Sequence, residues 1–237
     1  MRTRFVRIVA AATLAVLTLG CDEGRTTGFL VTGSTGGARV RLLNALPSAE
    51  AVDFAVDGQV AAARIAYGGA SPYVPVSLAS HQLQARASGT GTTLVDMTRD
   101  LSGGGDFSFI PAPGLNQFGA LFVPDDPTPA ANQAKFRVIH VAAAAPTALA
   151  VYVTAPNADL ASATPVIPTL VFAFASAYVT VPPGATRVRV TPVATPGTVI
   201  LDTGAITAAG GSVRTLLVTD APGGGLPTSL SVVADAP

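Results

Sequence analysis

One pattern of apolar and polar positions runs through this chain twice. From Ala38 to Val56 it reads A-R-V-R-L-L-N-A-L-P-S-A-E-A-V-D-F-A-V, and from Ala134 to Val153 it reads A-K-F-R-V-I-H-V-A-A-A-A-P-T-A-L-A-V-Y-V. Each copy opens with a basic residue, an apolar one, an arginine and a run of apolars. Each then bends through an Ala/Pro-rich stretch into a second alternating segment. Alternation at a period of two is the signature of a half-buried β-strand. A proline such as Pro47 pushes the residue before it out of the helical region and ends the first strand.

The alternation continues downstream. Val52, Phe54 and Val56 share one face, with Asp53 and Asp57 off it, and Asp57-Gly58 is a hairpin turn signal. Gln59 to Ala66 predicts the return strand. A Gly-rich loop leads to Tyr73, Val74, Val76 and Leu78, and then to the alternating stretch from His81 to Arg86. Further strands are expected at Thr93–Met97, Phe107–Ile110 and Leu115–Val123. The second copy repeats the order: Ser176–Val181 answers Ser71–Val76, Arg187–Thr191 answers the Leu83 region, and Gly210-Gly211 before Val213 answers the triple glycine before Phe107. The Pro/Ala-rich stretch from Ala155 to Leu170 is an insertion that lengthens a loop or edge of the second copy.

Copies spaced by about 100 residues are two folded units rather than a solenoid, and each is the size of an immunoglobulin-like domain. The expected fold class is therefore all-β: two tandem immunoglobulin-like antiparallel β-sandwich domains after an N-terminal signal peptide. The expected boundaries are 1–20 for the signal peptide, 21–37 for a flexible Gly/Thr-rich tether, 38–123 for the first sandwich, 124–133 for a Pro/Asp linker and 134–237 for the second sandwich.

Composition supports a packed core. Apolar residues make up 49% of the chain and charged residues 12%, which excludes global disorder. The formal net charge is zero, and Arg2, Arg4 and Arg7 all precede the tether. Without them acidic side chains outnumber basic ones, so no basic field exists to attract nucleic acid.

Those three arginines and the apolar run Ile8–Leu19 have the form of a secretion signal, the run being shorter than the ~20 residues a spanning helix needs. Leu17 to Cys21 reads L-T-L-G-C and resembles the lipobox of bacterial lipoproteins, with Gly20 as the small residue before the cysteine. The resemblance implies that Cys21 is acylated and becomes the new N-terminus, a membrane partner worth ~0.8 kcal/mol for each buried CH₂ of its acyl chains. Cys21 is the sole cysteine, so no intrachain disulfide is possible.

The motif R-V-R-L-L-N-A-L-P-S-A-E-A-V-D-F-A-V-D-G, from Arg39 to Gly58, followed by Y-G-G-A-S-P-Y and a basic alternating strand, resembles the DUF4397 domain of bacterial exported proteins. The second copy keeps Arg137, Val138, His140, Pro146 and Tyr178 but lacks the V-D-x-x-V-D-G aspartates. The resemblance implies a β-sandwich module, often tandem and often on lipoproteins, and it brings no catalytic residues with it.

Candidate chemistry is sparse. His81 and His140 lie in different copies without neighbouring Cys or His, whereas zinc takes three or four ligands. Asp53 and Asp57 share a strand face and raise a glycosidase pair or a calcium site, but no EF-hand spacing is present. Asp125-Asp126 in the linker raises calcium again. Ser34 and Ser212 lack a nucleophile-elbow context, and Gly103-Gly104-Gly105 lacks the lysine and helix of a phosphate loop. Tyr67, Tyr73, Tyr152 and Tyr178 are candidate ligand-facing aromatics, with Tyr73 and Tyr178 matched between copies as core tyrosines.

The expected function is thus a membrane-anchored cell-envelope lipoprotein, non-catalytic, acting as a binding or structural module toward an envelope protein or polysaccharide. No catalytic residue, metal or cofactor is expected, and the expected site residue is Cys21 as a lipidation site. The alternatives are a calcium-stiffened adhesin and a carbohydrate-binding or hydrolysing envelope protein.

Overall fold

The structure is a computed structural model, and it describes residues 37–115 and 119–236. The signal, Cys21 and the tether up to residue 36, Ser34 included, lie outside the described residues. The described chain is β-strand and loop throughout. The first half contains β1 (Ala38–Leu42), β2 (Ala51–Val56), β3 (Gln59–Ala66), β4 (Val74–Val76), β5 (Ser80–Ala87), β6 (Thr93–Asp100), β7 (Gly105–Pro111) and β8 (Ala120–Asp125). The second contains β9 (Ala134–His140), β10 (Ala148–Thr154), β11 (Ile167–Val171), β12 (Phe174–Ala175), β13 (Val179–Val181), β14 (Gly184–Pro192), β15 (Leu201–Ala208), β16 (Val213–Thr219) and β17 (Ser229–Ala236).

The two halves repeat one topology. In the first, sheet β4-β1-β7-β8 faces sheet β3-β2-β5-β6; in the second, β12-β9-β16-β17, with β13 also on β9, faces β11-β10-β14-β15. Most pairings are antiparallel. The exception occurs once in each half, where the opening strand runs parallel to the strand after the Gly-rich turn, β1 with β7 and β9 with β16. The insertion lengthens the connection from β10 to edge strand β11, the counterpart of β3, whose register against β10 shifts between Leu149 and Val151.

The period-two pattern places the cores. Val40, Leu42 and Phe109 from one sheet meet Val52, Phe54, Leu83 and Met97 from the other inside the first half. Phe136, Val138, Leu216 and Val218 meet Leu149, Val151, Val188 and Val190 inside the second. A third cluster joins the halves: Leu43, Ile110 and Val123 pack on Ile139, Val141, Leu217 and Val233. The sheets led by β1 and β9 are therefore covered on both faces. This explains why both strands drop the apolar-polar alternation after their arginine, at Leu42-Leu43 and Val138-Ile139. The described residues accordingly fall in one compact unit. β8 extends two residues into the expected linker and ends at Asp125, which is buried rather than solvated.

Candidate functional site

The third core contains a buried ionic network with mirrored halves. On β1, odd positions turn away from the first sandwich core, so Arg41 points at the second half; Arg137 on β9 does the converse. Arg41 Nη2 donates to Asp235 Oδ1 at 2.7 Å and Nη1 to the Ala234 carbonyl at 3.2 Å. Arg137 Nη2 is paired with Asp125 Oδ1, and Nη1 donates to the Pro124 carbonyl at 2.8 Å. Arg41 Nε donates to Ser108 Oγ at 2.9 Å, and Arg137 Nε to Thr215 Oγ1 at 3.1 Å. Those two hydroxyls, Ser108 and Thr215, each donate at 2.7 Å to the aspartate of their own half, Asp125 and Asp235.

Two tyrosines complete the network. Tyr73 donates to Asp125 Oδ2 at 2.5 Å and Tyr178 to Asp235 Oδ2 at 2.8 Å. Each ring also lies under a guanidinium, Arg41 at 4.8 Å and Arg137 at 5.0 Å. Each aspartate thus receives a phenol and a hydroxyl from its own half and a guanidinium from the other. Two cations and two anions with side chains at most 2% exposed are mutually neutralised. Burial works against the Arg41 charge, but Asp235 and Asp125 outweigh it and raise its pKa. Burial pushes both phenols well above the ordinary range, so they remain donors.

The mirror is broken beside this network. Residues 68–73 and 173–178 occupy equivalent places, leading to Tyr73 and Tyr178, and both start at a positive φ, 72° at Gly68 and 65° at Ala173. On the first-half side a Cβ at Gly68 would lie 2.3 Å from Ser231 Oγ on β17, so the hydroxyl would have to turn away. There the backbone of Gly68 comes close to β17. On the other side Ala173 and Phe174 replace the two glycines and face β8. There a groove of about 590 Å³ opens, walled by Leu121, Val123 and Pro124 of β8 and by Phe174–Tyr178, with Asp125, Asp126 and Arg137 at one end. Phe174 is 60% exposed. An alanine in the left-handed region next to an exposed aromatic is the kind of strained arrangement that clusters at binding sites.

The other candidates are placed elsewhere. Asp53 and Asp57 do not act together: Asp53 accepts from Ser88 Oγ and, at 2.8 Å, from the Arg64 amide, while Asp57 holds His81 Nδ1 at 2.6 Å. His81 Nε2 lies 3.1 Å from Ser77 Oγ, which gives the outline of a Ser-His-Asp array. The same Nε2 is 2.9 Å from the Ser77 carbonyl, so it carries a proton that it donates there. With its Nε2 proton on that carbonyl His81 is no base for Ser77; burial lowers its pKa, but bonds to Asp57 and to the carbonyl outweigh burial and raise it. His140 is buried and held neutral by burial, its Nε2 on the Pro146 carbonyl at 3.1 Å and its ring edge-on to Phe172.

Asp126 accepts from Lys135 Nζ at 2.5 Å, so the two linker aspartates serve separate cations. Ser212 donates to the Ala209 carbonyl, Gly103–Gly105 form the turn into β7, Tyr67 donates to the Asp220 carbonyl and Tyr152 is buried on β10. Among the described residues no three of His, Cys, Asp and Glu gather as metal ligands. Sequence reasoning did not identify Arg41, Arg137, Ser108, Thr215 and Asp235. The signal was there as a repeated strand ending, F-V-P-D at Asp125 and V-V-A-D at Asp235.

Comparison with known proteins finds a DUF4397 domain, a domain of unknown function, at residues 38–152, reaching from β1 into β10. No curated protein matches. Among solved structures the chain is similar to the CBMbc module (family CBM26) of Eubacterium rectale Amy13K in complex with maltoheptaose. The identity is 12%, over 84% of this chain and 98% of that one, with a TM-score of 0.28. A likeness that slight says nothing of what this chain binds.

Proposed function

We propose that this chain is an exported protein held to a bacterial membrane through an acylated Cys21, and that it serves the cell envelope as a non-catalytic binding or structural module. The groove between β8 and Phe174–Tyr178 is its binding site. The observation that carries this reading is the departure from mirror symmetry: on one side Gly68 comes close to Ser231, and on the equivalent side a groove lies under an exposed phenylalanine. The buried ionisable groups beside the groove are engaged with one another and serve to fasten the halves. A calcium ion at Asp125 and Asp126 would have to displace Arg137 and Lys135, so the calcium-stiffened alternative loses its donors.

Two measurements test the reading. Mass spectrometry of the N-terminal peptide from natively expressed protein is expected to show acyl chains on Cys21, and C21S to release the protein from the membrane fraction. A photo-crosslinker placed at Phe174 is expected to trap an envelope component that the same crosslinker at Val60, an exposed residue of β3, does not. Equal trapping at both positions would remove the groove from the reading.

A further inference from the structure

We propose that the groove takes an extended polypeptide segment, which adds to β8 as a fifth strand of the sheet β4-β1-β7-β8. This assignment rests on the groove being the binding site. β8 is an edge strand, with β7 on one side. In an antiparallel ladder opposed pairs alternate between those that exchange hydrogen bonds and those that turn their N–H and C=O outward. Pro111 and Pro124 have no N–H to give, and they occupy the pairs Pro111↔Ala120 and Phe107↔Pro124, which have the same parity. Phe109↔Phe122 lies between and shares it. Ala120 and Phe122 therefore direct their backbone groups away from β7. The Pro124 carbonyl, of equal parity, does so and reaches Arg137. Backbone that meets no partner among the described residues is a template for another strand.

The groove's lining favours a peptide over a sugar. A sugar needs free donors and acceptors, and the polar atoms here are engaged. Asp125 is held by Tyr73, Ser108 and Arg137, and Asp126 by Lys135 and the Thr128 amide. The Tyr178 hydroxyl is on Asp235, and Ser176 Oγ bonds the Val138 amide and the Ala177 carbonyl. A strand brings its own backbone donors and acceptors, and its inward side chains cover Phe174 and Ala175. The free side of β8 from Ala120 to Val123 spans about 14 Å at ~3.4 Å per residue, room for about four residues with apolar side chains at alternate positions. Pro124, with no N–H, closes one end.

The test selects a random twelve-residue peptide library, displayed on phage, against the full-length protein in detergent micelles. Enriched peptides are expected to alternate apolar residues and to slow hydrogen exchange at the Phe122 amide by at least tenfold. They are expected to lose at least tenfold in affinity for F174E and nothing for V60E. Absence of enrichment, or enriched peptides that leave the Phe122 amide unprotected or bind F174E equally well, overturns the proposal. A panel of soluble oligosaccharides is run in parallel. Saccharide binding sensitive to F174E, without protection of β8, would overturn the peptide assignment and keep the groove as a site. Binding that F174E never affects would remove the groove itself.

Discussion

The Arg41 guanidinium lies 2.7 Å from the Asp235 carboxylate of the opposite half, and Arg137 and Asp125 repeat the relationship with the halves exchanged. Removing one partner leaves a buried charge uncompensated, which costs about 3–5 kcal/mol. D235N and D125N are each expected to lose stability on that scale in urea unfolding. The double variant R41M/D235L removes both charges and is expected to recover most of the loss. A D235N loss below about 1 kcal/mol would mean that the pair does not hold the interface.

The two phenols contribute through single hydrogen bonds. Y73F and Y178F each remove a donor to a buried carboxylate and are expected to cost about 1–3 kcal/mol. Because burial raises both phenol pKa values far above neutrality, the cost is expected to be the same at pH 6 and pH 9. Thermal unfolding of each variant at both pH values checks this.

Gly68 and Ala173 share a backbone conformation and differ in surroundings. G68A puts a Cβ against Ser231 Oγ at a φ of 72° and is expected to destabilise by about 1–3 kcal/mol, with part of the loss recovered in G68A/S231G. A173G relieves a left-handed alanine and is expected to be neutral or to stabilise by up to about 1 kcal/mol. Urea midpoints moving in the same direction for both single variants would contradict this account of the broken mirror.

The His81–Asp57 pair links stability to pH. His81 is raised above its ordinary 6.5, so its contribution is complete below that value and is lost as pH rises through the folded pKa. Asp57 is lowered below 3.8, mainly by its bond to His81, so its contribution is present above 3.8 and is lost as pH falls through the folded pKa. The pair therefore stabilises most between these two values. H81Q is expected to lower Tm more at about pH 5.5 than at about pH 8.5. An equal loss at both would assign His81 a packing role alone.

Arg187 and Asp202 form the exposed counterpart. The bond from Arg187 holds Asp202 down to about 2, so its stabilisation is present above the usual 3.8 and is lost as pH falls toward 2. Both side chains are about one-third exposed, and solvent screening limits the effect. D202N is expected to cost no more than about 1 kcal/mol at pH 7, and less still in concentrated salt.

The strand order was legible because period-two alternation sets which side chains enter each sandwich core, as at Val52, Phe54 and Val56. The matches of Ser176–Val181 to Ser71–Val76 and of Arg187–Thr191 to the Leu83 region appear in the structure as β13, the counterpart of β4, and β14, the counterpart of β5. The network was not legible. Alternation puts Arg41 and Arg137 on the outer faces of their sheets, and only the docking of the other half turns those faces inward. Asp125 read as solvated linker for the same reason: its partner Arg137 comes from the other side of the docked interface. The groove depends on a difference of one backbone approach, Gly68 to Ser231 against Ala173 to β8, which residue pattern alone does not encode.

The exchange of guanidinium groups makes each half the keeper of the other's charge. A gene encoding either half alone would leave one arginine and one aspartate stranded at a sheet surface that has lost its cover. Unlike self-sufficient modules, these two balance their buried charges only when both are present.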